Sequence, residues 1–133
     1  MIIGWSLGGQ LATLLADQIS KQYHQQKILI TLASNPCFVE SCIENAEWHT
    51  AMPQTTFQSF KQSFQQDAIA TLKKFGFMVC QGVKTTKENF ATLQSLIQPQ
   101  NLDILKQGLN CLEQLNNVSI LKNYAGHQYH LFA

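Results

Sequence analysis

The pentapeptide GWSLG, residues 4–8, constrains the fold of this chain more than any other stretch of its sequence. It matches G-x-S-x-G, the pattern of a sharp turn from a strand into a helix that displays a serine hydroxyl at the helix N-terminus. We expect Gly4 and Gly8 to be required because side chains there would collide across so tight a turn. Ser6 is therefore a candidate nucleophile, and the alternative is a serine that only caps the helix.

The residues on either side of this turn have the patterns that it needs. Residues 1–3 are an apolar lead-in, and apolar positions recur at helical spacing over residues 7–24, with Ala12 and Ala16 small enough for close packing on a sheet. The run KILITLAS, residues 27–34, is continuous and β-branched, which predicts a short strand that is buried on both faces. Together these segments predict a parallel βαβ unit.

Amphipathic helical patterns, with no strand pattern between them, fill the middle of the chain. Two short helices are marked by apolar residues, namely Phe57, Phe60, Phe64, Ile69, Leu72 and Phe75. In a third helix Thr85 and Glu88 have the spacing of a capping box, and Pro99 is expected to end it. Its inward residues are predicted to be Phe90, Leu93 and Ile97. A fourth helix is predicted over residues 102–115.

The order of these patterns predicts the domain organisation. Strand character returns only at QYHLFA, residues 128–133, so a helical block interrupts an α/β pattern. We therefore predict an α/β fold of a few parallel strands with an inserted helical cap. Its core segment is residues 1–46, its cap is residues 47–115, and residues 116–133 return to the core and end within a strand.

Composition excludes several classes of function. The formal net charge is only +1 and every basic residue is a lysine, so the arginine fork that usually grips phosphate or a base edge is missing and no nucleic acid is expected. No apolar run approaches the roughly 20 residues that cross a bilayer. We expect a cytoplasmic protein that binds no membrane, metal ion or cofactor. Its cysteines lack metal or disulfide spacing and are expected to be free thiols, namely Cys37, Cys42, Cys80 and Cys111.

Several stretches together resemble one known family. GWSLGG is followed by LASNPCF at residues 32–38 and by Glu47 and Trp48, and KKFGFMVCQG at residues 73–82 and LKQGLNCL at residues 105–112 extend the likeness. The sequence resembles the pimeloyl-carrier-protein methyl ester esterases of biotin synthesis, a branch of the α/β-hydrolase fold. The resemblance implies hydrolysis of a methyl ester on a pimeloyl chain that is linked to acyl carrier protein.

The same resemblance implies roles for individual residues. Ser6 would be the catalytic nucleophile, and the backbone N–H of Leu7 would donate to the oxyanion. Phe75 would form a wall of the acyl pocket, which would also be lined by Gly76, Phe77, Met78 and Val79. The lysines of the cap could meet an acidic carrier protein, although a plain solvated surface is the favoured interpretation.

The remaining catalytic groups of a hydrolase are not evident in this sequence. In that fold an Asp or Glu and then a His follow the serine, and the resemblance places both beyond the last strand. The histidines here are interpreted as structural or exposed, namely His24, His49, His127 and His130. We therefore expect a truncated, inactive part of an esterase that self-associates through exposed sheet edges. The alternatives are another capped hydrolase with a different ester substrate and a noncatalytic helical binding module.

Overall fold

A computed structural model describes residues 1–40, 48, 50–82, 84–97 and 101–132. Several residues named above lie outside these ranges, namely Cys42, Glu47, His49 and Pro99. The elements follow in the order β1 (Ile2–Trp5), α1 (Leu7–Tyr23), β2 (Leu29–Leu32), α2 (Gln54–Gln66), α3 (Ala68–Val79), α4 (Thr86–Leu96), α5 (Leu102–Gln114), α6 (Val118–Asn123) and β3 (Gln128–Leu131).

The three strands form one parallel sheet in the order β1-β2-β3, which confirms the predicted parallel βαβ unit. Gly4 is in register with Thr31, and Thr31 is in register with His130. The prediction that β2 is buried on both faces is wrong. Leu29 and Thr31 are buried, but Leu32 is exposed because its face of the sheet points to solvent.

Helix α1 packs on β1 and β2 through its small residues. Ala12 and Ala16 form a buried cluster with Leu29 of β2 and Tyr124, which follows α6. The Tyr124 hydroxyl donates to the carbonyl oxygen of Lys27 at 2.7 Å and accepts from its N–H at 3.0 Å. These two hydrogen bonds thus hold the residue that follows α6 against Lys27, which precedes β2.

Two local expectations for the helices are corrected. Thr85 precedes α4, but its side chain makes no capping hydrogen bond, because its backbone (φ −101°, ψ 28°) is not the extended conformation of an N-cap. Ile97 lies just past the end of α4 and is exposed rather than turned inward. The sequence patterns also do not predict α6, which is shorter than the window over which helical periodicity can be read.

The chain divides into two compact units, one comprising Met1–Gln54 and Gly108–Ala133 and the other Thr55–Gln107. The second unit is helical and shorter at both ends than the predicted cap. Within it Phe60 and Phe75 meet edge to face with ring centroids 5.9 Å apart, and Phe77 meets Phe90 in the same way at 5.3 Å. In the described part of the chain no helix is both long and apolar enough to cross a membrane.

Candidate functional site

Ser6 lies in the turn between β1 and α1, in a backbone conformation that non-glycine residues rarely adopt. Its φ is 53° and its ψ is −125°. Its N–H donates to the carbonyl oxygen of Leu32 at 2.9 Å, and its carbonyl oxygen accepts from the N–H of Gly9 at 2.9 Å. The Ser6 side chain is exposed and makes no capping hydrogen bond to α1, so it does not act as a helix cap.

Close packing around this turn explains two glycines but not a third. A Cβ on Gly4 would overlap the carbonyl group of Gly8, and a Cβ on Gly9 would lie 2.5 Å from the Cβ and Oγ of Ser34. The expectation that Gly8 avoids a collision is wrong, because among the described residues no atom beyond its own helix backbone and chain neighbours lies within 4 Å of a Cβ built there. Gly9 instead lets the first turn of α1 approach the segment that follows β2.

Leu7 is the first residue of α1 and follows Ser6 directly. The N–H groups of a first helical turn have no acceptor within their own helix, and the helix dipole adds partial positive charge at that end. An anion that forms on an atom bonded to Ser6 Oγ would therefore lie beside the positive end of this helix. This arrangement suits the role predicted for the Leu7 N–H, which stays a prediction.

A cavity of about 380 Å³ opens beside Ser6 within the first unit. One wall includes Ala33, which follows β2 and, at φ 44°, is a second non-glycine residue with a left-handed backbone. The described lining residues include no charged side chain; they are Ser6, Leu7, Gln10, Ala33, Ser34, Asn35, Pro36, Phe38, Trp48, Thr50, Leu112 and Phe132. The cavity is therefore suited to an uncharged, largely apolar ligand.

A network of hydrogen bonds around Asn35 holds one wall of this cavity. Asn35 Oδ1 accepts from Trp48 Nε1 at 2.9 Å and from the N–H of Cys37 at 3.1 Å. Its Nδ2 donates to the carbonyl oxygen of Thr50 at 3.2 Å, and its own carbonyl oxygen accepts from Gln10 Nε2 at 2.6 Å. No sequence pattern predicted a role for these residues. The only signal was an asparagine before Pro36 at the end of a strand, which predicts a turn.

The other predicted site residues lie in the second unit. Phe75 is partly exposed on α3 and contacts Phe60, whereas Gly76 is buried 3.4 Å from Leu93 and 3.6 Å from Phe90, as measured from a Cβ built on it. Phe77, Met78 and Val79 are exposed. The substrate-binding role of residues 75–79 stays a prediction.

The described histidines have structural or exposed positions, as expected. His24 ends α1 in a left-handed conformation, and His127 is exposed. His130 Nδ1 lies 2.7 Å from the Thr31 hydroxyl, and its Nε2 lies 3.2 Å from Gln128 Oε1. The described cysteines form no disulfide; they are Cys37, Cys80 and Cys111.

Comparison with known proteins finds homologues over most of the chain, although no family model matches it. The biotin biosynthesis bifunctional protein BioHC of Teredinibacter turnerae is 35% identical over 98% of this chain, which covers 24% of that protein. The pimeloyl-(acyl-carrier protein) methyl ester esterases of Shewanella woodyi and Nitrosomonas europaea are 35% and 33% identical over 86% and 89% of this chain. The chain covers 43% and 48% of these two esterases, and so spans less than half the length of all three relatives.

Proposed function

We propose that this chain, homologous over most of its length to the pimeloyl-carrier-protein methyl ester esterases, carries at Ser6 the nucleophile of a carboxylic ester hydrolase. The observation that carries the proposal is the strained backbone of Ser6, with φ 53° and ψ −125°. This backbone presents at an apolar cavity an exposed hydroxyl that makes no capping hydrogen bond to α1. A strained residue at a cavity is typical of a functional site. Homology to proteins named as esterases gives that hydroxyl its reaction class.

The proposed reaction proceeds through an acyl-enzyme. Ser6 Oγ adds to the ester carbonyl carbon, and the resulting oxyanion accepts a hydrogen bond from the Leu7 N–H at the N-terminus of α1. The tetrahedral species collapses, the bond to the alkoxy oxygen breaks, and the alcohol leaves with the proton that Ser6 gave up. Water then attacks the acyl-serine carbonyl, which releases the carboxylic acid and restores the hydroxyl.

The proposed substrate is an acyl ester on a carrier protein, with a pimeloyl methyl ester as the specific case. The names of the relatives support this assignment, and the described residues that line the Ser6 cavity, none of them charged, are compatible with an apolar acyl chain. Phe75 and residues 76–79 are the proposed further contacts of that chain. The cap lysines are the charges that an acidic carrier protein would meet, and the described ones include Lys61, Lys73, Lys74, Lys84, Lys87 and Lys106.

We further propose that the 133-residue polypeptide by itself does not turn over esters. Serine needs a general base to lose its proton at neutral pH, and such a base contributes typically 10²–10⁴-fold to the rate. The described residues that line the Ser6 cavity include no histidine, aspartate or glutamate. A base added from solution can therefore reveal whether Ser6 is a nucleophile.

The test is hydrolysis of p-nitrophenyl hexanoate by the purified chain with and without free imidazole. Without imidazole we expect the rate of the wild-type chain to equal that of Ser6→Ala. With imidazole we expect the wild-type rate to exceed that of Ser6→Ala, because the small base can enter the open cavity and accept the serine proton. Mass spectrometry should then find the acyl group on the peptide that contains Ser6.

Ser34 supplies the matched control because its hydroxyl lines the same cavity. Ser34→Ala should keep the imidazole-dependent excess. Loss of the excess in Ser34→Ala with retention in Ser6→Ala would refute the assignment of the nucleophile. Serine-dependent turnover without imidazole would refute the proposed inactivity and leave the nucleophile standing.

A further inference from the structure

The side chain of Trp48 forms part of the wall of the Ser6 cavity. It lines that cavity and also a smaller one of about 90 Å³, which is bordered by Thr13, Thr31 and His130 on another side. Four other residues line both spaces, namely Gln10, Ser34, Pro36 and Phe132, and Trp48 has the largest side chain of the five. The position of the Trp48 ring therefore affects how much room a ligand finds beside Ser6.

Asn35 fixes that ring through a hydrogen bond whose direction is unambiguous. The indole Nε1 of Trp48 and the N–H of Cys37 can only donate, and both point to Asn35 Oδ1 at 2.9 and 3.1 Å. The carbonyl oxygen of Thr50 can only accept, and Asn35 Nδ2 donates to it at 3.2 Å. Turning the Asn35 amide over would break all three bonds, so this side chain has one orientation.

Asn35 is itself anchored to the helix that begins at the candidate nucleophile. Its carbonyl oxygen accepts from Nε2 of Gln10, a residue of α1 that is 2% exposed and also lines the Ser6 cavity. Hydrogen bonds thus join Gln10, Asn35 and Trp48, and all three line the cavity together with Ser6. A substitution at Asn35 would therefore affect a bound ligand by altering the position of the Trp48 ring.

We propose that Asn35 is a positioning residue that holds the Trp48 indole as a wall of the Ser6 cavity, and that this wall determines the binding of uncharged apolar acyl chains there. The inference rests on the proposed function for its ligand class, but it requires no reaction of the Ser6 hydroxyl. Trp48 contacts the acyl chain, and Asn35 acts only through Trp48.

The experiment uses the full chain with Trp5→Phe, which leaves Trp48 as the one tryptophan because the sequence has two. Titration with methyl hexanoate should change the Trp48 emission on binding. Adding Asn35→Leu should shift the emission of the free protein and weaken binding about tenfold, because it removes all three side-chain hydrogen bonds of Asn35 and no longer holds the Trp48 ring. Asn35→Asp should restore both, because a carboxylate still accepts from Trp48 and Cys37.

The matched control is Asn89→Leu, the same substitution at an exposed asparagine of α4. It should leave the Trp48 emission and the affinity unchanged. A general loss of stability would not be rescued by Asn35→Asp, whose carboxylate gives up the bond to Thr50. Equal emission and affinity in the Trp5→Phe protein with and without Asn35→Leu would overturn the proposal, as would the absence of any binding.

A double-mutant cycle measured by calorimetry separates a positioning role from a direct contact. Asn35→Leu should weaken binding about tenfold beside Trp48 and less than about twofold in a Trp48→Phe protein, since phenylalanine lacks the Nε1 donor. Additive losses would show that Asn35 does not act through Trp48. This binding measurement requires no reaction of the Ser6 hydroxyl, so failure of the imidazole test leaves it intact.

Discussion

The two faces of the small parallel sheet differ both in their strand residues and in their surroundings. Side chains alternate along a strand. Gly4, Leu29 and Thr31 therefore lie on one face of the sheet, and the residues that follow each of them lie on the other face. Helix α1 covers the first face, where Leu29 is fully buried. On the second face Trp5 is 66% exposed. Four other apolar side chains of this face are also exposed, namely Ile3, Leu32, Tyr129 and Leu131.

Apolar character alone therefore does not determine which side chains of this sheet are buried. Leu29 and Leu32 belong to the same four-residue strand, yet one is 0% and the other 36% exposed. The partner that lies against each face decides the outcome. Substitutions on the covered face should therefore change folding, whereas those on the exposed face should change association.

The largest expected effect is at Gly4, on the covered face. Gly4→Ala places a Cβ on the Gly8 carbonyl, and such overlap should cost about 3 kcal/mol or more of the free energy of unfolding. Urea denaturation followed by circular dichroism would measure it. Gly8→Ala is the control, because open space surrounds its Cβ and alanine favours a helix by roughly 1 kcal/mol. Equal losses in both variants would contradict the geometry of the turn.

A matched pair of leucines tests the comparison directly. Leu29→Ala should lower the free energy of unfolding by about 3 kcal/mol, because it leaves a cavity among Ala12, Ala16 and Tyr124. Leu131→Ala on the exposed face should lower it by less than about 1 kcal/mol, since that side chain already contacts water. The same urea titration measures both. Similar losses would mean that the exposed face is covered in solution.

The hydroxyl of Tyr124 should have a smaller effect on the covered side. Tyr124→Phe removes the bond to the Lys27 carbonyl and the acceptor for its N–H, at an expected cost of about 1–2 kcal/mol. Tyr23→Phe is the control because Tyr23 is exposed at the end of α1. Thermal unfolding of the two variants side by side would measure the difference, and equal midpoints would contradict it.

The smallest effect on stability is expected for the double variant Trp5→Ser, Leu131→Ser on the exposed face. It should change the free energy of unfolding by less than about 0.5 kcal/mol per site. The wild-type chain should self-associate as its concentration rises, and the variant should do so less, because an apolar patch is removed. Sedimentation velocity over a range of concentrations would measure this. Identical association of both proteins would contradict a role for this face.

Local patterns in the sequence predicted which segments form helices and strands better than they predicted what each segment contacts. The turn at Ser6 and α1 follow from glycines and apolar spacing within about 20 residues, and the structure has a strand, a strained serine and a helix there. The capping box at Thr85 failed because a spacing does not fix the backbone of the capping residue. The role assigned to Gly8 failed because the contact that matters, between Gly9 and Ser34, joins two segments that are separate in sequence.

The walls of the candidate site could not be predicted in the same way. Asn35 and Trp48 stand in stretches that the sequence analysis used only for a family resemblance. Their hydrogen bond depends on how the chain returns past the end of β2, and neither hydropathy nor turn propensity encodes that path. Ser6 was found because its signal lies in five consecutive residues.

The pairing of β2 with β3 also has a consequence for biosynthesis. Thr31 and His130 are neighbours in space but 99 residues apart in the chain, so β2 leaves the ribosome long before its partner exists. At about 5–20 residues per second the delay is on the order of 5–20 s. During that time helices α2 to α6 emerge, and the unpaired edge of β2 is the part of the nascent polypeptide that a chaperone would have to shield.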